Sequence, residues 1–353
     1  MKTNSYMMDG HKLFYHLEEV VKWQRGDLSF PLHLDVGPSR DCSNRCIHCY
    51  LKWYGRKKQF LAKEVFLKLM RDIGPLGVKS IFLAGSGEPL LNEHTPEAIV
   101  TAKQQGVDVS MATNGHFFTK EVAEKVIESL NWVRFSIQAA SKDLYTKVHG
   151  TEEENWGRVF KNLETLIALK AKRNAEIAIG VLTCIIPENT SEIYELALRC
   201  RDLGVNYITF RPISQNIKNQ YALNSLFRLA KENLKKAEAL SNGSFQVITR
   251  YNLFNDEHCK EYKKCYGISF ISQIDADGGV YTCGSYLGIP HHCYGNLYEQ
   301  SFEEIFRSDR TRQIINYVTN ELDFKECDTL CRPHNINKFL WGLKHPPQHV
   351  NFI

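Results

Sequence analysis

The sequence lacks the features that would place this protein in a membrane or on a nucleic acid. No apolar run approaches the roughly 18 residues needed to span a bilayer. Residues 1–14 have neither the apolar core nor the small-residue cleavage site of a signal peptide, so a cytoplasmic location is the default expectation. The net charge of +4 comes without a basic patch, and nucleic acid is therefore not an expected partner.

Cysteine, by contrast, is abundant. The chain has 11 cysteines, and without an export signal they are not expected to form disulfides, because the cytosol keeps thiols reduced. Three of them lie between residues 42 and 49 and six between residues 259 and 331, while Cys184 and Cys200 stand alone. This clustering indicates metal or redox ligation.

Short β-type runs alternate with amphipathic helical runs from residue 31 to about residue 212. The candidate strands are Leu32–Val36, Lys79–Ala84, Val107–Ala112, Trp132–Ile137, Glu176–Cys184 and Tyr207–Phe210. Such alternation predicts a parallel sheet with right-handed crossovers. Six units are too few for a closed eightfold barrel, so a partial (β/α)6 barrel and an open doubly wound sheet are both possible.

The fourth candidate strand favours the barrel. Arg134, Ser136 and Gln138 alternate with apolar residues, which places the polar side chains on one face. Strands of a doubly wound sheet are usually apolar on both faces. A polar inner face fits a ligand-filled lumen, and the predicted fold is therefore an α/β, TIM-like partial barrel.

The pattern changes after the barrel. Asp and Gly residues in Asp275–Gly279 separate two β-type runs, which is a strong hairpin signal. We expect a small α+β domain to contain this hairpin. The expected divisions are an N-terminal segment 1–30, the barrel 31–213, a helical connection 214–258 and the small domain 259–353.

A C-x3-C-x2-C array, formed by Cys42, Cys46 and Cys49, follows the first candidate strand. Three thiolates on one loop can ligate three corners of a [4Fe–4S] cluster, which leaves the fourth iron open to a substrate or cofactor. The alternative is zinc, although structural zinc usually takes four protein ligands, commonly from paired C-x2-C units.

This array resembles the signature of the radical S-adenosylmethionine (SAM) superfamily, C-x3-C-x-φ-C, with His48 in the place of the planar residue before the last cysteine. The resemblance implies that SAM chelates the open iron through its amine and carboxylate. One electron from the cluster then cleaves SAM to methionine and a 5′-deoxyadenosyl radical, which abstracts hydrogen from an unactivated C–H bond. An external donor such as a flavodoxin or ferredoxin is expected to supply the electron.

Other segments carry the same resemblance. The Gly-Ser-Gly-Glu-Pro segment 85–89 looks like the family's G-G-E-P segment, which hydrogen-bonds the SAM amino group. Glycines let a backbone approach a ligand, and a carboxylate can pair with an ammonium. The Thr-Asn-Gly segment 113–115 resembles the family's T-N-G element, and Ser136 is similar to its ribose- or carboxylate-contacting serine; many relatives have an acid where this chain has Gln138. The expected SAM-binding residues are His48, Gly85, Gly87, Glu88, Asn114 and Ser136.

The distal cysteines resemble the C-terminal extension called SPASM, or its shortened Twitch form. A C-x12-G-x4-C pattern brackets the hairpin turn, and a C-x3-C pair follows. Full SPASM domains hold two auxiliary clusters and have a longer cysteine run whose first two members are missing here, so one auxiliary [4Fe–4S] cluster is expected. Cys259 or Cys293 is an alternative ligand, and zinc is the alternative metal. The expected ligands are Cys265, Cys283, Cys327 and Cys331.

Two residues at strand ends are candidate catalytic groups. Arg211 ends the sixth candidate strand and can face the lumen as a base or an anion clamp; a salt-bridged barrel arginine is the structural alternative, and arginine is a poor base at its ordinary pKa. Cys184 ends the fifth and can donate a hydrogen atom to a substrate radical, although free cysteines are mostly buried small hydrophobes.

The favoured function is dehydrogenation of a hydroxylated, carbohydrate-like small molecule, with the auxiliary cluster as electron acceptor, as in relatives with a Twitch domain. A peptide maturase that forms a thioether or carbon–carbon crosslink is one alternative. A sugar epimerase that uses Cys184 as hydrogen donor is another, and a non-catalytic electron carrier is a third.

Overall fold

The computed structural model describes residues 6, 8, 10–27, 30–55, 57–213, 222–254, 260–323, 327 and 331–352. The strands are β1 His33–Val36, β2 Ser80–Leu83, β3 Asp108–Thr113, β4 Leu130–Ser136, β5 Ala178–Ile185, β6 Tyr207–Pro212, β7 Gln246–Thr249, β8 Ile271–Ile274, β9 Gly279–Tyr281 and β10 Cys293–Asn296. The α-helices are α1 Leu17–Arg25, α2 Lys63–Ile73, α3 Thr95–Gln104, α4 Lys120–Val126, α5 Lys142–His149, α6 Glu154–Arg173, α7 Ile193–Leu203, α8 Leu223–Glu238, α9 Phe302–Arg307, α10 Asp309–Asn320 and α11 His334–Lys344.

The strand order decides between the two candidate folds. The ten strands found among the described residues lie in one sheet, in the order β10-β9-β8-β1-β2-β3-β4-β5-β6-β7. Strands β1 to β6 follow one another without reversal and pair in parallel. A doubly wound sheet reverses its order at a switch point, whereas an unreversed order with right-handed crossovers places the helices on one face. The sheet does not close, and the predicted partial barrel is confirmed.

Polar and apolar side chains alternate along β4 because they face opposite sides of the sheet. Val133 and Phe135 are fully buried in the main hydrophobic core, whereas Arg134 and Ser136 are half-buried. The two-residue period of a strand therefore turns the apolar side chains toward the helical layer and the polar ones toward the lumen. The long helix α6 covers this layer with an apolar face that consists of Val159, Phe160, Leu163, Leu166 and Leu169.

Both edges of the six-strand core carry further strands. At one edge β7 pairs in parallel with β6. At the other, β8 pairs in parallel with β1, and β8, β9 and β10 then form an antiparallel meander. Pairing satisfies the backbone groups that an exposed edge would leave open. The predicted hairpin therefore continues the barrel sheet, and the proposed domain limits stay a prediction.

The two ends of the chain pack together. A second, smaller core consists of Leu13, Val20, Leu32, Phe270, Ile336 and Leu340. It joins α1 and the 3-10 helix Gly10–Tyr15 to α11 beside β1 and β8. In the part of the chain that the structure describes, no helix combines the length and the apolar character that crossing a membrane requires.

Candidate active site

The cysteine loop follows β1 and is held from two sides. On one side, the amides of Arg45 and Ile47 donate to the carbonyls of His149 and Val148, at 2.8 and 3.0 Å. On the other side, the amide of Glu88 donates to the carbonyl of Asp41 at 2.8 Å. Backbone bonds of this kind fix the loop without using the cysteine side chains, which stay available as ligands.

Two glycines allow the segment after β2 to pack against this loop. A Cβ on Gly87 would lie 2.1 Å from the Asp41 carbonyl oxygen and 2.7 Å from that of Ser39. Gly85 has φ +144°, and a Cβ there would lie 2.8 Å from the Cα of Gly37. Both positions require glycine because backbone meets backbone. The close approach expected from these glycines is therefore seen between two loops of the protein, and a contact with SAM stays a prediction.

Glu88 joins the ends of β2 and β3. Its Oε1 accepts hydrogen bonds from the Thr113 hydroxyl at 2.7 Å and the Leu90 amide at 3.2 Å, and its Oε2 accepts one from the Asn114 amide at 2.7 Å. Burial raises the pKa of Glu88 to about 7, and these hydrogen bonds oppose the rise. The carboxylate thus fixes the Thr-Asn-Gly segment beside the cysteine loop, and its predicted pairing with an ammonium remains a prediction.

Asn114 reaches the first cysteine. Its Nδ2 donates to the Ser43 hydroxyl at 2.9 Å and lies 3.8 Å from the sulfur of Cys42, while its Oδ1 accepts from the His116 amide at 3.0 Å. The predicted SAM-binding segments after β2 and β3 therefore meet the cysteine loop at one place, at the C-terminal ends of the strands, where barrel enzymes carry their sites.

His149, at the end of α5, contacts the second cysteine. Its Nε2 lies 3.2 Å from the Gln138 amide, which can only donate, so Nε2 is the acceptor. Burial holds the pKa of His149 well below its ordinary value, and the neutral ring therefore carries its proton on Nδ1. Nδ1 lies 3.5 Å from the sulfur of Cys46 and 3.2 Å from the side-chain amide of Asn44, whose oxygen rather than its NH2 group must face a protonated Nδ1. The ring therefore directs an N–H at a cysteine sulfur.

Two further predicted SAM-binding residues are His48 of the cysteine loop and Ser136 at the end of β4. The ring of His48 lies 5.8 Å from that of His149, at an interplanar angle of 90°. Burial, and after it the charge of Arg211, lowers the pKa of His48 to about 4. Ser136 ends β4 on the lumen side, in register with Leu182 of β5.

Gln138 stands where many relatives have an acid, and here it has a structural role. Its Oε1 accepts from the Cys184 amide at 2.9 Å, and its carbonyl accepts from the Asn189 side chain at 2.9 Å. Gln138 therefore ties the ends of β4 and β5 to each other.

The four predicted auxiliary ligands line one cavity of about 270 Å³, together with Arg211 and Arg332. The cysteines in this cavity are Cys265, Cys283, Cys327 and Cys331. Hydrogen-bonding groups surround the sulfurs: Asn337 Nδ2 donates to Cys265 at 3.4 Å, and the Tyr286 hydroxyl lies 3.5 Å from Cys327. Burial raises the pKa of the Cys265 thiol to about 11, so this thiol is protonated at neutral pH. Metal binding would have to displace its proton.

The alternative auxiliary ligands fall elsewhere. Cys293 begins β10, its sulfur donates to the Gly295 carbonyl at 3.4 Å, and it does not line the cavity. Cys259 lies outside the described residues. Among the residues that the structure describes, no three His, Cys, Asp or Glu side chains converge as ligands of a single ion; in a [4Fe–4S] cluster each thiolate binds a different iron, so such convergence is not needed.

Asp275, in the hairpin turn after β8, connects the auxiliary region to the SAM side of the barrel. Its carboxylate accepts hydrogen bonds from the Ser86 hydroxyl and, at 3.0 Å, from the Tyr54 hydroxyl, and it lies 3.8 Å from Arg40 Nε. The Arg40 guanidinium lies over the Tyr54 ring at 4.0 Å. Burial raises the pKa of Asp275, and the Ser86 bond opposes the rise.

The two candidate catalytic residues are direct neighbours. Cys184 of β5 and Arg211 of β6 are register partners, and both are half-buried at the lumen side of their strands. Arg211 extends into the auxiliary cavity and also acts electrostatically on His48. It therefore lies between the two cysteine groups.

The residues present fit the cofactors that the sequence implies. Three cysteines share one loop that is fixed through its backbone, an N–H is directed at Cys46, and Nδ1 of His48 is buried without a hydrogen-bond partner in the described structure. The second set offers four cysteines around one cavity.

Sequence reasoning missed two residues of this region. His149 and Asp275 carry no motif: the first precedes a helix-ending glycine, and the second belongs to a turn. Their partners lie 103 and 189 residues away in the chain, and only the fold brings them together.

Sequence comparisons agree with this arrangement. The sequence model of the radical SAM superfamily matches residues 36–210, and that of the SPASM iron–sulfur cluster-binding domain matches residues 265–333. A GTP 3′,8-cyclase of Limosilactobacillus fermentum (strain NBRC 3956 / LMG 18251) is 26% identical over 259 residues, which cover 69% of this chain and 76% of the relative. An S-adenosylmethionine-dependent nucleotide dehydratase of Lacinutrix mariniflava (strain JCM 13824 / KCCM 42306 / AKS432) is 30% identical over 112 residues, 30% of this chain and 23% of the relative.

Solved structures share the fold. Streptococcus suis SuiB superposes with a TM-score of 0.65 at 16% identity, over 89% of this chain and 74% of SuiB. The protein anSMEcpe with bound AdoMet superposes with a TM-score of 0.60 at 18% identity, over 87% of this chain and 88% of its own. The two family matches contain both cysteine groups that the structure places on either side of the lumen. The chain therefore belongs to the radical SAM superfamily, carries a C-terminal SPASM domain, and takes SAM, a SAM-binding [4Fe–4S] cluster and auxiliary iron–sulfur as its cofactors.

Proposed function

We propose that this enzyme dehydrogenates a hydroxylated small molecule that binds in the lumen between the two cysteine groups. The observation that carries the proposal is the position of Arg211, which lines the cavity of the auxiliary cysteines and acts electrostatically on His48 beside the SAM-binding loop. A substrate that contacts Arg211 lies within reach of both groups, and oxidation of an alcohol carbon needs both a hydrogen-atom acceptor and an electron acceptor.

The chain's own residues would divide this work. Cys42, Cys46 and Cys49 hold the cluster that, with SAM bound, supplies a 5′-deoxyadenosyl radical. Arg211 orients the substrate, and its guanidinium suits an anion clamp better than a base. Conversion of an alcohol to a carbonyl removes a hydrogen atom from carbon, a proton from oxygen and one further electron. The acceptors would be the 5′-deoxyadenosyl radical for the hydrogen atom, solvent water for the proton and the auxiliary site for the electron. The four cysteines of the auxiliary cavity leave no open ligand position, which favours electron transfer as the role of that site.

The names of the relatives support a small molecule. The matched proteins named as a GTP cyclase and a nucleotide dehydratase act, by those names, on nucleotides. A peptide substrate is the second candidate, and it is supported by the precursor peptide bound in one SuiB structure, whose likeness to this chain is one of fold.

A product assay tests the proposal. The protein is reconstituted anaerobically with iron and sulfide, reduced, and supplied with SAM and candidate sugar or nucleotide substrates. We expect 5′-deoxyadenosine and a substrate-derived carbonyl in equal amounts. If the protein with its full iron and sulfide content forms no 5′-deoxyadenosine, the proposed enzymatic function is refuted. Turnover of peptides alone would establish the second candidate.

The neighbouring cysteine separates oxidation from epimerisation. If the enzyme dehydrogenates its substrate, Cys184→Ala keeps carbonyl formation, because no hydrogen atom is returned to the substrate. If Cys184 is a hydrogen donor, the wild-type enzyme incorporates solvent deuterium into an epimeric alcohol, and C184A abolishes that incorporation. Cys200→Ala is the matched control, since Cys200 is fully buried in the helical layer.

A further inference from the structure

Four arginines lie close enough in the barrel to interact electrostatically, and we call them the lumen arginine set: Arg134 on β4, Arg211 at the end of β6, Arg250 after β7 and Arg332 before α11. Burial, and in addition the positive charges of the other three, lowers the pKa of Arg134. The Cζ atoms of Arg134 and Arg332 lie 5.3 and 5.6 Å from the centre of the same Phe82 ring. Like charges repel, so this arrangement attracts an anion.

Arg134 and Arg332 differ in whether a carboxylate neutralises them. Nη1 of Arg332 lies 2.6 Å from Oδ2 of Asp35. Within the described residues Arg134 has no ion pair: its Nε is buried without an acceptor, and its Nη2 reaches the sulfur of Met8, a weak acceptor, at 3.8 Å. The pKa of Arg134 is lowered to about 10, so the group stays charged at neutral pH. A guanidinium whose Nε is buried is costly without an anionic partner.

The position of Arg134 suits one end of a substrate. It precedes Ser136 by two residues on the same face of β4, which places it about 7 Å deeper in the lumen. Its guanidinium lies over the Trp132 ring at 4.7 Å, which fixes its direction. Arg211 stands nearer the mouth, in the auxiliary cavity and close to His48. The lumen arginine set therefore runs from the floor of the lumen to the space between the two cysteine groups.

We propose that Arg134, assisted by Arg211 and Arg250, holds a phosphoryl group of the substrate. A phosphoryl group carries nearly two negative charges and three acceptor oxygens, whereas a carboxylate carries a single charge, and several guanidiniums around one space match the former. Arginine forks bind phosphate through paired N–H···O bonds. The inference rests on the proposed function and names its substrate class, a phosphorylated, hydroxylated small molecule whose phosphoryl group lies among these arginines and whose reacting carbon lies beyond them, between the two cysteine groups.

Equilibrium binding of inorganic pyrophosphate tests this assignment without turnover. The reconstituted full chain with SAM bound is titrated calorimetrically with pyrophosphate at constant ionic strength, as wild type and as R134Q, R134K and R199Q. Arg199 is the matched control, because it also stacks on aromatic rings, those of Trp156 and Phe160 at 4.4 and 3.9 Å, but on the helical layer. We expect R134Q to weaken binding at least tenfold, R134K to weaken it less, and R199Q to leave it unchanged.

Two results would overturn the assignment of a phosphoryl site to Arg134. The first is that the wild-type enzyme does not bind pyrophosphate. The second is that R134Q binds pyrophosphate as tightly as the wild type does. If R134Q fails to fold, the comparison is made with R134K, which keeps the charge but loses the planar fork. Equal pyrophosphate affinity of the wild type and R134K would then contradict the role of Arg134. SAM cleavage is measured on the same samples. Pyrophosphate binding without oxidation of any phosphorylated alcohol would refute the proposed function and leave the anion site standing.

Discussion

Gly87 offers a direct test of how the SAM-binding region is built. In Gly87→Ala the new Cβ would lie 2.1 Å from the Asp41 carbonyl oxygen, 2.7 Å from that of Ser39 and 2.8 Å from the Asp41 amide nitrogen. All three atoms belong to the backbone of the cysteine loop, so no side chain can move aside. The two loops must separate by more than 1 Å to reach an ordinary contact of 3.4 Å or more.

The cost follows from two contributions. Forced separation of packed segments costs about 1–3 kcal/mol, and loss of the 2.8 Å hydrogen bond from Glu88 to Asp41 adds about 1 kcal/mol. We expect the free energy of unfolding to fall by roughly 2–4 kcal/mol. We also expect less iron at the Cys42 loop and a slower formation of 5′-deoxyadenosine.

The assays are denaturant unfolding of the cluster-free chain, iron and sulfide content after reconstitution, and 5′-deoxyadenosine formation. Gly157→Ala is the control, because this glycine lies inside α6 with no atom within 4 Å of its added Cβ, and the change should stabilise the helix by about 0.5–1 kcal/mol. If G87A retains wild-type stability, iron content and SAM cleavage, the close approach of the two loops is not required.

Three further predictions concern side chains in or near the two cysteine groups. The pKa of Glu88 rises from 4.5 to about 7 on folding, so the folded state binds this proton more tightly than the unfolded state does. The free energy of unfolding should therefore fall by roughly 3 kcal/mol as the pH rises from below 4.5 to above 7. Denaturant unfolding of the cluster-free chain measures this dependence, and E88Q should remove it. Replacing His149 with Phe removes the N–H directed at Cys46, and an electron paramagnetic resonance titration should find a more negative reduction potential for the SAM-binding cluster; an unchanged potential would contradict the hydrogen bond. Cys283→Ala should lower the iron content from about eight to about four per chain, whereas Cys293→Ala should leave it unchanged.

The sequence determined the chemistry of the first cysteine group, because ligand spacing on one loop is a local property. Cys42, Cys46 and Cys49 lie within eight residues, and their pattern needs no knowledge of the fold. The alternation around Arg134 likewise predicted a polar lumen, since the period of a strand is fixed by its backbone. Each of these signals is contained in a short stretch of chain.

Tertiary structure alone decided which distant residues meet. The hairpin before Cys283 continues the barrel sheet through the pairing of β8 with β1, and Asp275 thereby reaches Ser86, 189 residues away. In the sequence, Arg134 is one polar residue of an alternating strand. Its position among other arginines, with no ion pair in the described part of the chain, arises only when β4, β6 and β7 curve around one lumen. Such contacts cannot be read from the sequence, because they depend on strand order and curvature, which long-range packing determines.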